Sequence, residues 1–363
     1  MRSTPLLVSQ FVFFHWWQVG QGRIAAWPRM NQYLFLLPFA LAGVLGRLWA
    51  QTGLRNYDFD SYLLVSSQVL EGGNPYETGR YNYGPIWFVV LAAGRLISND
   101  PDAFRITITV ILSVTDLIIA LVLLRKGYAL AAALFLVVPI GIAISGQHQQ
   151  FDNLAVLMAL LGVIYLSRSD GLTLDRNDWI AISLLSCSLA IKHIFILLPL
   201  WIALQQATHA RRLAYLLIPP GAFLISLAPF LLMNSSPIVS NVFFYDSFRN
   251  SPFLQHFLPV PFAIQVLNRG WGVVIFLVIV SLVGFAVRHV KGVELVMVYS
   301  VTMVVFSSAI ADQYLAIPLV GATGLLNIGF VTPYSSNLLF KLGFFVFQTS
   351  NGLVKASNFL LVR

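Results

Sequence analysis

The feature that most constrains this chain is a succession of apolar runs, at about 32–50, 84–98, 106–124, 128–145, 152–167, 179–204, 212–233, 271–288, 293–311, 313–331 and 338–349. Most approach the roughly 20 residues that a membrane-spanning helix needs. Backbone amides and carbonyls in hydrocarbon must be paired within the protein, so only helices or a closed barrel can cross it. Continuous Leu, Ile, Val and Ala runs lack the alternation of barrel strands. The sequence therefore predicts an all-α, polytopic transmembrane helix bundle of roughly ten spans, some of them half-helices. Charge agrees, because only 10% of residues are charged and 58% are hydrophobic, whereas soluble domains carry about 25% charged residues.

The net charge of +8 would point to nucleic acid in a soluble chain. Here the basic residues sit singly in short connections, which fits membrane orientation and not a nucleic-acid partner. Arg2, Arg23 and Arg29 precede the first confident span, so the amino terminus is expected in the cytoplasm. Residues 1–31 have no signal-peptide order or small-residue cleavage site and are expected to form an interfacial lead-in. Residues 32–349 then form one transmembrane domain, with an acidic external loop at 51–83, and 350–363 form a tail. Polar connections at 168–178 and 234–270 are too short for a separate domain, and no internal repeat is visible. The single cysteine, Cys187, excludes an intrachain disulfide framework. Counting spans outward from residue 32 puts Arg125 and Lys126 outside, against the preference of basic residues for the inside. A re-entrant early run or a weak charge signal would each account for this.

Only 14 residues are Asp or Glu, yet Asp58, Asp60, Glu71 and Glu77 share the window 56–85, NYDFDSYLLVSSQVLEGGNPYETGRYNYGP. Asp58 and Asp60 lie on one side of an extended segment but about 200° apart on a helix. They are either solvated loop charge or groups that take a proton from a hydroxyl or hold a metal ion. Tyr81, Tyr83 and Trp87 follow Gly72, Gly73 and Pro75, as interfacial aromatics or as the wall of a sugar site. Asp116 interrupts an apolar run and should face the bundle interior with a partner, for structure or for function. SGQHQQFDN at 145–153 gathers Gln147, His148, Gln149, Gln150, Asp152 and Asn153, with no spacing for zinc. Lys192 and His193 break CSLAIKHIFILLPLW, either snorkelling between two shorter helices or binding an anion such as phosphate. Tyr245, Asp246, Arg249 and His256 mark the long connection, and Asp312, Gln313 and Tyr314 begin a late run.

In this order the pieces resemble the GT-C superfamily of integral membrane glycosyltransferases, which draw sugars from polyprenyl-phosphate carriers. YDFDSY with Asp58, YNYGP with Pro85, VTDLI with Asp116, GQHQQFDN with His148 and AIKHIF with Lys192 correspond to segments of the dolichyl-phosphate-glucose-dependent glucosyltransferases. The bacterial polyprenyl-phosphate-mannose-type transferases add a GGNPYE-like loop, an aromatic-to-Arg segment like YDSFR and a Gln-Tyr-Leu like that in DQYLAIPL. The likeness covers about residues 32–320, although YNYGP has one Pro where relatives have two and QHQQFDN carries an extra residue.

The resemblance implies a GT-C-like bundle with a helical first external loop. It also implies an inverting transferase that moves a hexose or pentose to a lipid-linked or cell-envelope glycan acceptor. Asp58 would be the general base and Asp60 its assistant. His148, Lys192, His193 and Arg249 would hold the donor phosphate, and Tyr83, Gln147, Asp152, Gln313 and Tyr314 would contact substrate. No resident cofactor is expected, although some members of the superfamily need a divalent cation. The expected partners are the polyprenyl-phosphate-linked sugar donor, the glycan acceptor and membrane lipid, in a bacterial plasma membrane in preference to the ER. The alternatives are a lipid or glycan transporter or flippase, and a non-catalytic glycan-assembly subunit.

Overall fold

The computed structural model describes residues 19–166, 173–244, 271–306 and 317, and among these the regular elements are all helical. The main helices are α1 (Arg29–Ala50), α2 (Tyr57–Leu70), α3 (Pro85–Ile97), α4 (Pro101–Arg125), α5 (Ala129–Val137), α6 (Pro139–Ile142) and α7 (Asp152–Tyr165). They continue as α8 (Arg176–Ile191), α9 (Leu198–Ala203), α10 (His209–Met233), α11 (Ser235–Ile238), α12 (Trp271–Ala286) and α13 (Val293–Phe306). Polar side chains set their starts. Asn56 caps α2 by accepting from the Phe59 amide at 2.8 Å, and Asp100 caps α4 ahead of Pro101. Asp175 and Asp178 form a reciprocal capping box on α8. Each cap satisfies an amide that the first helical turn leaves unpaired.

Three helices, α1, α4 and α10, are long and apolar enough to cross a membrane. A fourth candidate is the pair formed by α5 and Pro139–Gln147, bent by 54°. The break falls at Pro139, whose ring and missing amide proton interrupt the helical ladder. Among the described residues these three or four helices are what stands for the roughly ten spans expected. Other runs appear as apolar helices of 10–17 residues; the run at 338–349 and, apart from residue 317, that at 313–331 lie outside the described set. α1 turns Leu34, Leu37, Leu41 and Leu45 outward, a face suited to hydrocarbon.

Polar contacts show that the long helices alternate between two ends. Where α1 finishes, here the distal end, Arg55 pairs with Asp102 at 2.6 Å and Arg105 donates to the Gly53 carbonyl at 2.7 Å. α4 therefore starts beside the end of α1. At the opposite, basal end, Gln21 reaches both the Gly127 carbonyl and the Leu130 amide, which places the α4–α5 turn beside the lead-in. The chain is distal again at Gln147, whose carbonyl accepts from Asn56 at 3.2 Å. It is basal at Asp178, which binds Arg211 and Tyr215, and distal at Asn234, which donates to Glu77 at 3.1 Å. Tyr128 bonded to Glu294 marks the basal end once more.

α3 is the exception to this alternation. It begins at Gly84, whose amide donates to the Ile191 carbonyl at 3.2 Å, and it ends where α4 begins, so both of its ends are distal. Its 13 residues rise only about 20 Å, short of the roughly 30 Å of hydrocarbon. α2 and α3 thus form an excursion at one end, and α3 is among the apolar helices too short to be a candidate span by itself. With that run removed from the count, Arg125 and Lys126 fall on the same side as Arg23 and Arg29, and the conflict of charge with parity disappears.

Candidate functional site

The distal excursion, the α6–α7 connection and the end of α8 meet around Asp58. Helical geometry decides between the two neighbouring carboxylates. α2 starts at Tyr57, so Asp58 turns inward and is half-buried, while Asp60 is exposed. Asp60 acts electrostatically on Arg55 and points away from the groups that surround Asp58. Asp58 Oδ2 accepts a hydrogen bond from Gln150 Nε2 at 2.7 Å. Burial raises the proton affinity of the Asp58 carboxyl and Asp152 adds to the rise, while Lys192, His148 and the Gln150 bond pull it down. Burial is the largest of these effects, so the Asp58 carboxyl is raised from its ordinary value.

Lys192 is delivered by the end of α8. At Lys192 the backbone turns extended, with φ −151° and ψ 121°, and a short 3-10 turn, His193–Phe195, leads to α9. The apolar run at 179–204 is thus two shorter helices broken at the lysine. Lys192 Nζ lies 2.5 Å from Asp152 Oδ1, and the two side chains are 3% and 1% exposed. The ammonium also sits 5.1 Å from the ring centre of Tyr83 and 5.4 Å from that of Phe151, cation–π distances that help to hold a charge away from water. His193 turns elsewhere, stacking on Phe223 of α10 at 6.1 Å. Lys192 and His193 thus have different packing partners, Tyr83 and Phe151 for the ammonium and Phe223 for the imidazole.

An aromatic wall fixes these groups. Phe151 stacks on Trp87 at 4.0 Å with planes 13° apart and meets Tyr83 edge-on at 4.7 Å. Tyr62, one turn beyond Asp58 on α2, packs edge-on against Trp87 at 5.6 Å. Gly84 lets the wall close on α8, because a Cβ there would lie 2.1 Å from the Ala190 carbonyl oxygen. The single Pro of YNYGP has this local reason, since a proline ring in place of Gly84 would strike the same backbone.

Gln147 contributes its backbone and not an amide side chain to this arrangement. Its carbonyl accepts from Asn56 and from Arg105, the latter at 3.3 Å. Asp116 faces the interior as expected, and its partner is Arg47. Oδ2 lies 2.8 Å from one Arg47 nitrogen and 2.9 Å from another, and also accepts from Ser145 Oγ at 2.9 Å. Asn153 Nδ2 donates to Oδ1 at 2.7 Å. Sequence reasoning missed Arg47 and Phe151 as members of this region, and it placed Gln150 in the 145–153 cluster without its contact to Asp58. A basic residue one turn before the end of an apolar run was the available signal for Arg47. Arg249, Gln313 and Tyr314 lie outside the described residues.

Within 149–153, Asp152 Oδ2, Gln149 Oε1, Gln150 Oε1 and Asn153 Oδ1 are buried without a hydrogen-bond partner among the described residues. Buried oxygens are costly to leave unmatched, so this arrangement can accept hydroxyl donors beside a fixed cation and a poised carboxylate. Among the described residues no three His, Cys, Asp or Glu side chains gather as a metal site would require. Compared with family models, curated proteins and solved structures, the chain matches none.

Proposed function

We propose that the chain is an inverting membrane glycosyltransferase of GT-C-like architecture, with its short helices adding to the long ones to make about ten crossings. One observation carries the reading. Asp58, His148, Asp152 and Lys192, dispersed along the chain, come together at one end of the bundle with unmatched acceptors and an aromatic wall. A carboxylate of raised proton affinity suits deprotonation of an acceptor hydroxyl, and a buried ammonium suits a departing phosphate. The acceptor O–H proton passes to Asp58 as its oxygen bonds to the anomeric carbon. The bond from that carbon to the phosphate oxygen breaks, and the electron pair leaves with the lipid phosphate, stabilised by Lys192 and His148. Asp152 holds Lys192 in place until the phosphate arrives.

Charge supports a sidedness. Arg23, Arg29, Arg125, Lys126, Arg212 and Lys291 are exposed at the basal end, and Glu71, Glu77, Asp100 and Asp102 lie at the distal end. By the positive-inside rule the basal end is cytoplasmic, so the site opens on the outer face, which in a bacterial plasma membrane faces the envelope glycans.

The test incubates purified protein with a panel of radiolabelled polyprenyl-phosphate hexoses and pentoses and scores release of lipid phosphate. Release is expected with at least one donor. It should vanish in Asp58→Asn while donor binding persists, and its acid limb should lie above the ordinary carboxylate pKa of about 4. No release from any donor would overturn the reading. Movement of substrate across proteoliposomes without a new glycosidic bond would replace it with a transporter.

A further inference from the structure

The segment from Ser145 to Asn153 is held at both ends by one carboxylate, because Ser145 and Asn153 bind the two oxygens of Asp116. Across the first anchor the helix widens into a π turn over Ala143–Gln147. The His148 amide then donates to Ala143 and the Gln150 amide to Ile144, each at 3.0 Å. This route forces Gln149 to φ 49°, the left-handed region that residues with side chains rarely occupy. The turn is also pressed onto α1, since a Cβ at Gly146 would lie 2.7 Å from the Arg47 carbonyl oxygen. A strained residue persists where its surroundings over-determine it, and such residues concentrate at functional sites.

The product of that strain is the placement of Gln150. Its side chain is buried, 1% exposed, and its Nε2 meets Asp58 Oδ2. Lys192, His148 and Asp152 supply the charges that act on Asp58, and Gln150 supplies a neutral donor. A neutral amide fixes the plane of a carboxylate with much less loss of basicity than an ion pair would cause.

We propose that Gln150 is the positioning residue of Asp58, clamping Oδ2 so that Oδ1 is the oxygen presented to the incoming proton. The role of Asp58 as base rests on the transferase reading, but the clamp does not. Infrared pH titration of the full chain in lipid nanodiscs separates the two, with the Asp58 carboxyl band assigned by its loss in Asp58→Asn. Loss of a hydrogen bond to the charged form raises a carboxyl pKa, so Gln150→Leu should move the Asp58 midpoint upward by about one pH unit. Gln150→Glu, which keeps the size and adds a like charge, should move it further. In donors that support transfer, both variants should lower kcat with KM little changed, since the clamp acts on the base and not on binding. A purely structural role would lower the melting temperature and leave the midpoint alone. If the midpoint stays put in whichever of the two variants folds, the proposal is overturned, whether or not transfer is observed. If the midpoint moves in a chain that transfers no sugar, the clamp stands and the transferase reading falls.

Discussion

Two buried aspartate–cation pairs lie close together in this molecule, and they are built on different principles. Asp116 and Arg47, each 1% exposed, are tied into a network that fills the carboxylate. Both carboxylate oxygens are occupied, and Arg47 donates further to the Gly43 and Leu136 carbonyls, each at 2.9 Å. Asp152 and Lys192 are as deeply buried but stand among unmatched oxygens and aromatic faces. The filled carboxylate of Asp116 ties α1, α4 and the α6–α7 connection into one body. The Asp152 carboxylate, at the same burial, keeps an unmatched oxygen, which is tolerable only where something else is to supply a partner. The adjacent residues Asp152 and Asn153 belong to one pair each, so the rigid pair sets the register of the open one.

Substitutions can break that contrast. The largest effect is expected from Asp116→Asn, which leaves Arg47 buried beside a neutral amide. It should cost about 3–5 kcal/mol of stability, measured by chemical unfolding in detergent, and the paired change Arg47→Met with Asp116→Leu should recover much of it. Lys192→Met should instead act on turnover, lowering phosphate release by about 10²–10³-fold. If it destabilised like Asp116→Asn and left turnover alone, the two pairs would be alike and the contrast would fail. Gly84→Ala should cost about 1–3 kcal/mol by overpacking against Ala190, and it should raise KM if the wall it loosens is the substrate's. Gln149→Gly should stabilise by about 1 kcal/mol, because glycine accepts the left-handed backbone, while reducing turnover if the strain sets Gln150. Asp60→Asn should change stability by less than about 0.5 kcal/mol with turnover intact. A large loss there would return Asp60 to the site.

Helical character and membrane compatibility were legible because they depend on composition, which every apolar run carries. Asp58, Asp152, Lys192 and the interior position of Asp116 were legible because a polar residue in apolar surroundings needs a reason for its burial. Direction was not legible. The run at 84–98 has a span's hydropathy, and only the contacts at its two ends show that α3 returns to the side on which it began. The fate of Asp60 depended on whether 57–62 is helical or extended, and the Asn56 cap and the following core positions decide that through tertiary packing. His193 was paired with Lys192 by adjacency, but the break in α8 turns successive side chains to different neighbours. Gln150 was hidden among five polar companions, since its meaning lies in a contact across 92 positions of sequence.

The two pairs also differ in the order in which their members are made. Arg47 precedes Asp116 in the chain, so the acid emerges from synthesis with its cation already in place. Asp152 precedes Lys192 and has to wait for the whole of α7 and α8, a delay of several seconds at roughly 5–20 residues per second. The open pair is therefore completed late, by the arrival of a lysine beside the rings of Tyr83 and Phe151, which are already made.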